Sequence, residues 1–187
     1  FSAEKAPPYF RPRIIALAFA QADIEAIRMH PAKWYSDRGI TLRLDSSVNA
    51  FDAGRCSVAT AGGEESFDGL VLAAGAGPVL SGFAAMAPER VLPLWRADNA
   101  DTIRSLLRPG GSVAVIGGGA IGIETAVRSA GAGFTTSIIE KAADLGSGRL
   151  MQPASSVLRR RLSEKGVKVM VCAAVSRAEP LPDGRVR

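Results

Sequence analysis

The sequence holds one histidine and two cysteines among 187 residues. Cys56 and Cys172 form no CxxC pair, zinc-ligand spacing or disulfide framework, so a disulfide-stapled domain is excluded and a reducing compartment, the cytoplasm, is the simplest setting. Both cysteines lie in strand-like contexts ("RCSVAT", "VKVMVC") and are expected to be buried small hydrophobes. His30 stands beside Pro31 near a helix start, where a structural role is favoured over general acid–base work. Aromatics make up 6% of the chain and do not interleave with the basic residues, which argues against nucleic-acid binding. The uncharged run Leu70–Pro88 is cut by Gly75, Gly77, Pro78 and Gly82, so no membrane helix is expected. "FSAEKAPP" has neither the basic start nor the apolar core of a signal peptide, and a chain opening on Phe1 is expected to be trimmed or cut from something longer.

What is present is an apolar fraction of 47%, with 20 Gly and 11 Pro, the balance of an α/β protein rather than a disordered one. The formal charge of +5 reads as a solvated surface, with an acidic partner as the other reading. "RRR" at Arg159–Arg161 has the same two readings, as the solvated side of its helix or as an attractor of an acidic acceptor.

Along the chain, the prolines of "APPYFRPR" predict extended backbone. Helical stretches follow over about 14–19 and 22–37, the second restarting at Pro31, with Trp34 and Tyr35 as core residues. "GITLRL" (39–44) predicts a strand. "SVNAFD", "CSVAT" and "EESFD" predict a meander punctuated by "AGR" and "AGG". "GLVLAAG" (69–75) reads as a buried strand of the parallel type. After "RVLPLW", a helix is expected over 97–107. From Ser112 the pattern becomes strand, helix, strand, helix, strand, with "SVAVI" as a buried strand and the arms of a second meander after "VKVMVC". Ile123, Ala126, Val127 and Ala130 share one apolar helix face, and Gly166 is a helix stop. A boundary falls near 94–98. Trp95, at that crossing, is read as packing, with contact to a nucleotide as the alternative.

In "VAVIGGGAIGIETA" (113–126), Gly117, Gly119 and Gly122 match G-x-G-x-x-G. The pattern gains meaning from its setting: an apolar strand before it, an amphipathic helix after it, and a carboxylate, Glu140, at the end of the next strand. Gly117 permits the tight turn, Gly119 admits a pyrophosphate close to the backbone, and Gly122 lets helix and strand approach. Ala120 and Ile121 complete the turn, whose helix N-terminus offers free N–H groups and partial positive charge. Glu140 is placed to accept from the ribose 2′- and 3′-hydroxyls of an adenosine and to repel a 2′-phosphate, which favours NAD(H) over NADP(H); Lys141 softens that preference. Glu124 is read inside the first helical turn, either complementing the helix dipole or facing a nicotinamide amide.

These segments together resemble the FAD-dependent pyridine-nucleotide oxidoreductases, in the branch with rubredoxin and nitrite reductases. "FSAEKAPPYFRPRI" resembles the segment after the second strand of that family's FAD domain. "HPAKWYSDRGITLRL" is similar to its "xPxxWYxxxGIxLxL", and "FDGLVLAAGAGP" to its "YDxLVLATGAxP". The resemblance implies an α/β fold of Rossmann-like, three-layer ββα nucleotide-binding domains. It implies a partial FAD domain over 1–95, lacking its first strand and glycine turn, and a C-terminally incomplete NAD(H) domain over 96–187. It also implies FAD contacts at Glu4 (ribose), Arg11 and Pro12 (beside the flavin), Val48 (adenine), and Ala74 and Gly75 (crossing loop), and places Glu124 near the nicotinamide. The implied activity is hydride transfer from NADH to FAD, with electrons passed to a redox protein or further centre, and the resemblance allows a homodimer in the full-length parent. A nucleotide-binding module without its own turnover, within a multi-subunit dehydrogenase, is the alternative. Three positions depart from the family: Ala16 replaces a lysine near the flavin, Ala74 replaces the threonine of "ATG", and Ala120 stands where some relatives carry an aromatic gate. No cysteine pair follows the family's disulfide pattern.

Overall fold

A computed structural model describes residues 1–146 and 150–187. The first part of the chain is built from short elements. Pro12 opens a 3-10 turn at Arg11–Arg13 that runs into α1 (Ile14–Ala18). Two short helices, α2 (Ile24–Ile27) and α3 (Ala32–Ser36), take the place of the expected longer stretch. The Asp23 side chain caps α2, while Pro31, in extended backbone (φ −66°, ψ 157°), forces the break before α3. Tyr35 is buried, and Trp34 stacks on His30 with ring centroids 3.9 Å apart.

The predicted meander forms as β1 (Val48–Asp52), β2 (Ser57–Thr60) and β3 (Gly63–Ser66), paired antiparallel in that order. Two of the expected strands do not form. Residues 39–44 stay irregular, touching the N-terminal segment through Ser2 N to Arg43 O at 2.8 Å. Residues 69–75 are also irregular, and their apolar side chains face solvent, Val71 at 87% exposure. A parallel strand exists only where a neighbouring strand takes up its N–H and C=O groups. Among the described residues, no segment lies alongside 69–75 to do so.

The second part is regular. After α4 (Ala97–Leu106) come β4 (Ser112–Ile116), α5 (Ala120–Gly131), β5 (Thr135–Ile139), α6 (Gln152–Glu164) and β6 (Val167–Met170). The strands form a parallel sheet in the order β4-β5-β6. Ile123, Ala126, Val127 and Ala130 of α5 pack as expected into one apolar cluster with Val115, Ile138, Leu145, Leu162 and Val167. Each fully buried Ile or Leu there contributes about 1.5–3 kcal/mol. Because both helices lie on one face, β4 is not a buried strand throughout: Val115 is inside, whereas Ile116 is about half exposed. Gly166, at φ +76°, stops α6 as read from the sequence. Glu179 and Arg187 exchange backbone bonds, so the final meander is reduced to a narrow hairpin.

Both cysteines are exposed, contrary to expectation. Each sits at positive φ (51° and 52°) in a bend beside a strand, which turns its side chain out of the sheet. A second apolar cluster gathers α1 with Tyr9, Phe19 and Ile27, and it recruits Ala97 and Ala100 of α4. The first core therefore extends past residue 95.

Hydrogen–deuterium exchange reads the unpaired run directly. The amides of 70–75 are expected to exchange as fast as those of an unstructured peptide, while the β4–β6 amides are protected. Protection of 70–75 equal to that of the parallel sheet would contradict this fold.

Candidate nucleotide-binding site

The glycine turn lies at the C-terminal end of β4. Gly117 has φ +105°, a conformation that glycine alone adopts without strain, and its N–H donates to Ile139 O at 2.9 Å. A Cβ on Gly122 would stand 2.0 Å from the Gly117 carbonyl oxygen, so the helix can start this close to the turn only without a side chain there. Around Gly119 the space is open: a Cβ there would meet no atom within 4 Å. Gly119 caps α5, and the first N–H groups of the helix, at Ala120, Ile121 and Gly122, have no carbonyl of their own helix to meet.

Glu140 follows β5 and faces the same turn. Its Oε2 accepts from Gly118 N at 2.6 Å and its Oε1 from Ala142 N at 2.7 Å. These two amides, Ala142 first, hold its carboxyl below the usual glutamate value. An ionised carboxylate offers about four lone-pair sites, so acceptor capacity remains for ribose hydroxyls. Gly118, the unconstrained letter of the motif, is the contact that sequence reasoning missed. A Cβ on it would fall 2.5 Å from Leu145 Cδ2 and 3.2 Å from the Glu140 side chain. The loop after β5 completes the clamp, with Gly146 N donating to Gly118 O at 2.8 Å, and Ser155 Oγ of α6 fixes that loop through Leu145 O at 3.1 Å. This donor set fits a dinucleotide: amides toward a pyrophosphate, a carboxylate toward a ribose.

Glu124 is the fifth residue of α5, just past the first turn in which the sequence reading placed it. The helix begins at Ala120, and no acidic residue occupies its first turn. The carboxylate pairs with Arg128 at 3.0 Å, and Arg128 in turn donates to Gln21 Oε1 at 2.9 Å. The dipole-complementing reading therefore loses its geometry.

The residues singled out in the first part of the chain converge through a chain of bonds. Arg11 donates to Glu4 at 2.6 Å and to Trp95 O at 2.7 Å. The Trp95 indole N–H reaches Ala76 O at 2.9 Å, next to Ala74 and Gly75. Pro12 lies in the turn that carries Arg11. Val48 is exposed at the start of β1, a few residues beyond the Asp45 N to Glu4 O bond of 3.0 Å. Tyr9 was overlooked in the sequence, although "YFRPR" puts it two residues before Arg11. Its hydroxyl donates to Glu4 Oε2 at 2.5 Å and accepts from Ala97 N at 3.1 Å. Burial and then the Glu4 carboxylate push its pKa up to about 12. Burial works to raise the carboxyl of Glu4, but the Tyr9 and Arg11 bonds outweigh it and hold the value low. Ala16 is buried in α1.

The family described as pyridine nucleotide-disulphide oxidoreductase matches residues 1–186. The chain belongs to that family. It is 32% identical to the probable ferredoxin reductase CtmF of Castellaniella defragrans, over 94% of this chain and 44% of that protein. It is 31% identical to a rubredoxin-NAD(+) reductase of Pseudomonas putida, over 89% of this chain and 44% of that protein. Among solved structures, the covalent putidaredoxin reductase–putidaredoxin complex superposes with a TM-score of 0.87 at 25% identity, covering 98% of this chain and 46% of that one. The α/β architecture with a Rossmann-like parallel unit is thus shared with FAD- and NAD-binding oxidoreductases. The chain spans less than half the length of these relatives. Among the described residues, no group of side chains could hold a metal ion, and no helix is long and apolar enough to cross a membrane.

Two substitutions test the turn. Gly122→Ala is expected to lower the unfolding free energy in urea by about 1–3 kcal/mol or more, and an unchanged midpoint would contradict the close approach. Glu140 has a lowered folded-state pKa, so its contribution is fully present above the ordinary value of 4.5 and is lost as the pH falls through the lowered one. The stability gap between the parent and Glu140→Gln should therefore close on acidification below pH 4.5, and a gap that stays constant would remove the clamp.

Proposed function

We propose that the glycine turn and Glu140 bind NAD(H), and that the chain works within a flavoprotein that passes reducing equivalents from NADH to FAD and on to a redox protein. The observation that carries this reading is the pairing of open space at Gly119 with the Glu140 carboxylate on the same turn. The α5 amides would hold the pyrophosphate, and Glu140 would accept from the adenosine ribose while repelling a 2′-phosphate, which favours NADH over NADPH.

The nicotinamide and flavin, when bound, supply the hydride-transfer chemistry. This chain's part is to position them. Arg11, tied to Glu4 and Trp95, would lie beside the flavin with Pro12. Glu4 would face the FAD ribose, Val48 the adenine, and the Ala74–Gly75 backbone the crossing between the two halves. Glu124, held by Arg128, would face the nicotinamide. The small side chain of Ala120 leaves that approach ungated. The similarity to reductases of rubredoxin and ferredoxin supports a small redox protein as acceptor, and exposed, unpaired cysteines fit a reducing compartment such as the cytoplasm.

Titration of the chain with NADH, followed by nucleotide fluorescence, tests the reading. Saturable binding is expected, weaker for NADPH, with at least about tenfold loss in Glu140→Ala from the removed charge-assisted hydrogen bonds. No NADH affinity, or an affinity that Glu140→Ala leaves unmoved, would overturn it.

A further inference from the structure

The basic triplet of the sequence acquires a setting in the fold. Ser156, Arg159, Arg160 and Ser163 form one exposed stripe of α6, and with Val167–Val169 of β6 they wall a depression of about 460 Å³. Among the described residues, no carboxylate lines it. Two acids interact with the triplet from outside the groove: Glu164 pairs with Arg161 at 3.0 Å and only loosely with Arg160 at 3.9 Å, and Asp144 feels the charge of Arg159. Lys168 adds a third cation at this edge, on the face of β6 opposite to Val167 and Val169, whose side chains pack toward α6.

The other wall of the depression is backbone. β6 pairs with β5 on one side, and among the described residues no strand lies on its other side. Met170 O turns toward β5, since the chain just after that strand bonds to it through Glu140 N at 2.8 Å. Strand alternation then aims the N–H and C=O groups of Val167 and Val169 at the open edge. An unpaired edge is a template for an added strand, and here it is flanked by three cations.

We propose that the groove between α6 and the outer edge of β6 docks an extended, acidic segment of a partner protein, added as a strand beside β6 with carboxylates against Arg159 and Arg160 on one face of the sheet and against Lys168 on the other. Charge complementarity selects this occupant. A second copy of a chain carrying a net charge of +5 would bring like charges together, and among the described residues the groove has no aromatic lining on which nucleic-acid bases could stack. The inference is independent of the dinucleotide reading, because none of these residues belongs to the glycine turn.

The test uses a short fluorescein-labelled peptide of repeated Glu-Glu-Val-Val, which as a strand carries carboxylates on both faces, read by anisotropy against the chain at low salt. Saturable binding is expected, weakened at least about tenfold when the salt exceeds the range in which the charges see one another, a Debye length of about 10 Å at 0.1 M. A similar loss is expected for the Arg159→Glu/Arg160→Glu/Lys168→Glu variant, with NADH affinity unchanged. Lys168→Glu alone should give a smaller loss in the same direction if the triple variant does not fold. A backbone N-methylated peptide and a lysine–valine peptide should both fail to bind. The proposal is overturned if charge reversal leaves peptide affinity unchanged or the N-methylated peptide binds equally well. It is also overturned if a DNA duplex displaces the peptide at lower concentration, or if sedimentation shows a dimer of this chain that charge reversal dissolves.

Discussion

The second half of the chain turns on one bonded clamp: the Glu140 carboxylate bridging Gly118 N and Ala142 N, with Gly146 N closing back on Gly118 O. The ends of two neighbouring strands are thereby locked side by side. Backbone can approach side chain this closely only because residue 118 has none of its own. The same contact leaves Gly119 open and the first amides of α5 unclaimed, so one arrangement both rigidifies the turn and keeps its anion-binding face available. Ionisation strengthens it, since each bond to a charged acceptor is worth roughly twice a neutral one.

The two halves of the molecule are joined by polar bonds laid over a small apolar seam. Ala97 and Ala100 of α4 enter the cluster around α1, and small side chains there let the helices meet. Around that seam, Tyr9 reaches Ala97 N, Arg11 reaches Trp95 O, and Arg128 of α5 reaches Gln21. Arg128 is also the partner of Glu124. The carboxylate offered to the nicotinamide in the proposed function is therefore set by a residue that simultaneously touches the other half.

Legibility followed the range of the interactions. The glycine turn, the α5 face at Ile123, Ala126, Val127 and Ala130, and the stop at Gly166 all depend on neighbours a few residues apart, and each formed as read. The strands at 39–44 and 69–75 did not, because their hydrophobic pattern specifies a face to bury but cannot supply the strand to pair with. Cys56 and Cys172 misled for a related reason: strand-like neighbours suggest burial, yet a bend at positive φ decides where the side chain points. Gly118 stands at an unconstrained letter of its motif, and Tyr9 gains its role only when Ala97, far along the chain, meets the hydroxyl that also holds Glu4.

The sequence by itself determined the family, the order of the elements from Ser112 to Met170, and the glycine–carboxylate pairing that proposes a dinucleotide, because these are encoded by spacing and backbone permissiveness along a single segment. Only the tertiary structure decided that Glu140 grips Gly118, that Glu124 answers to Arg128, and that Glu4, Arg11 and Trp95 meet beside Ala76. The Glu140–Gly118 and Arg11–Trp95 contacts join residues tens of positions apart. Even the i,i+4 pair of Glu124 and Arg128 is fixed from outside its helix, by Gln21, so these partners are chosen by how helices and strands pack.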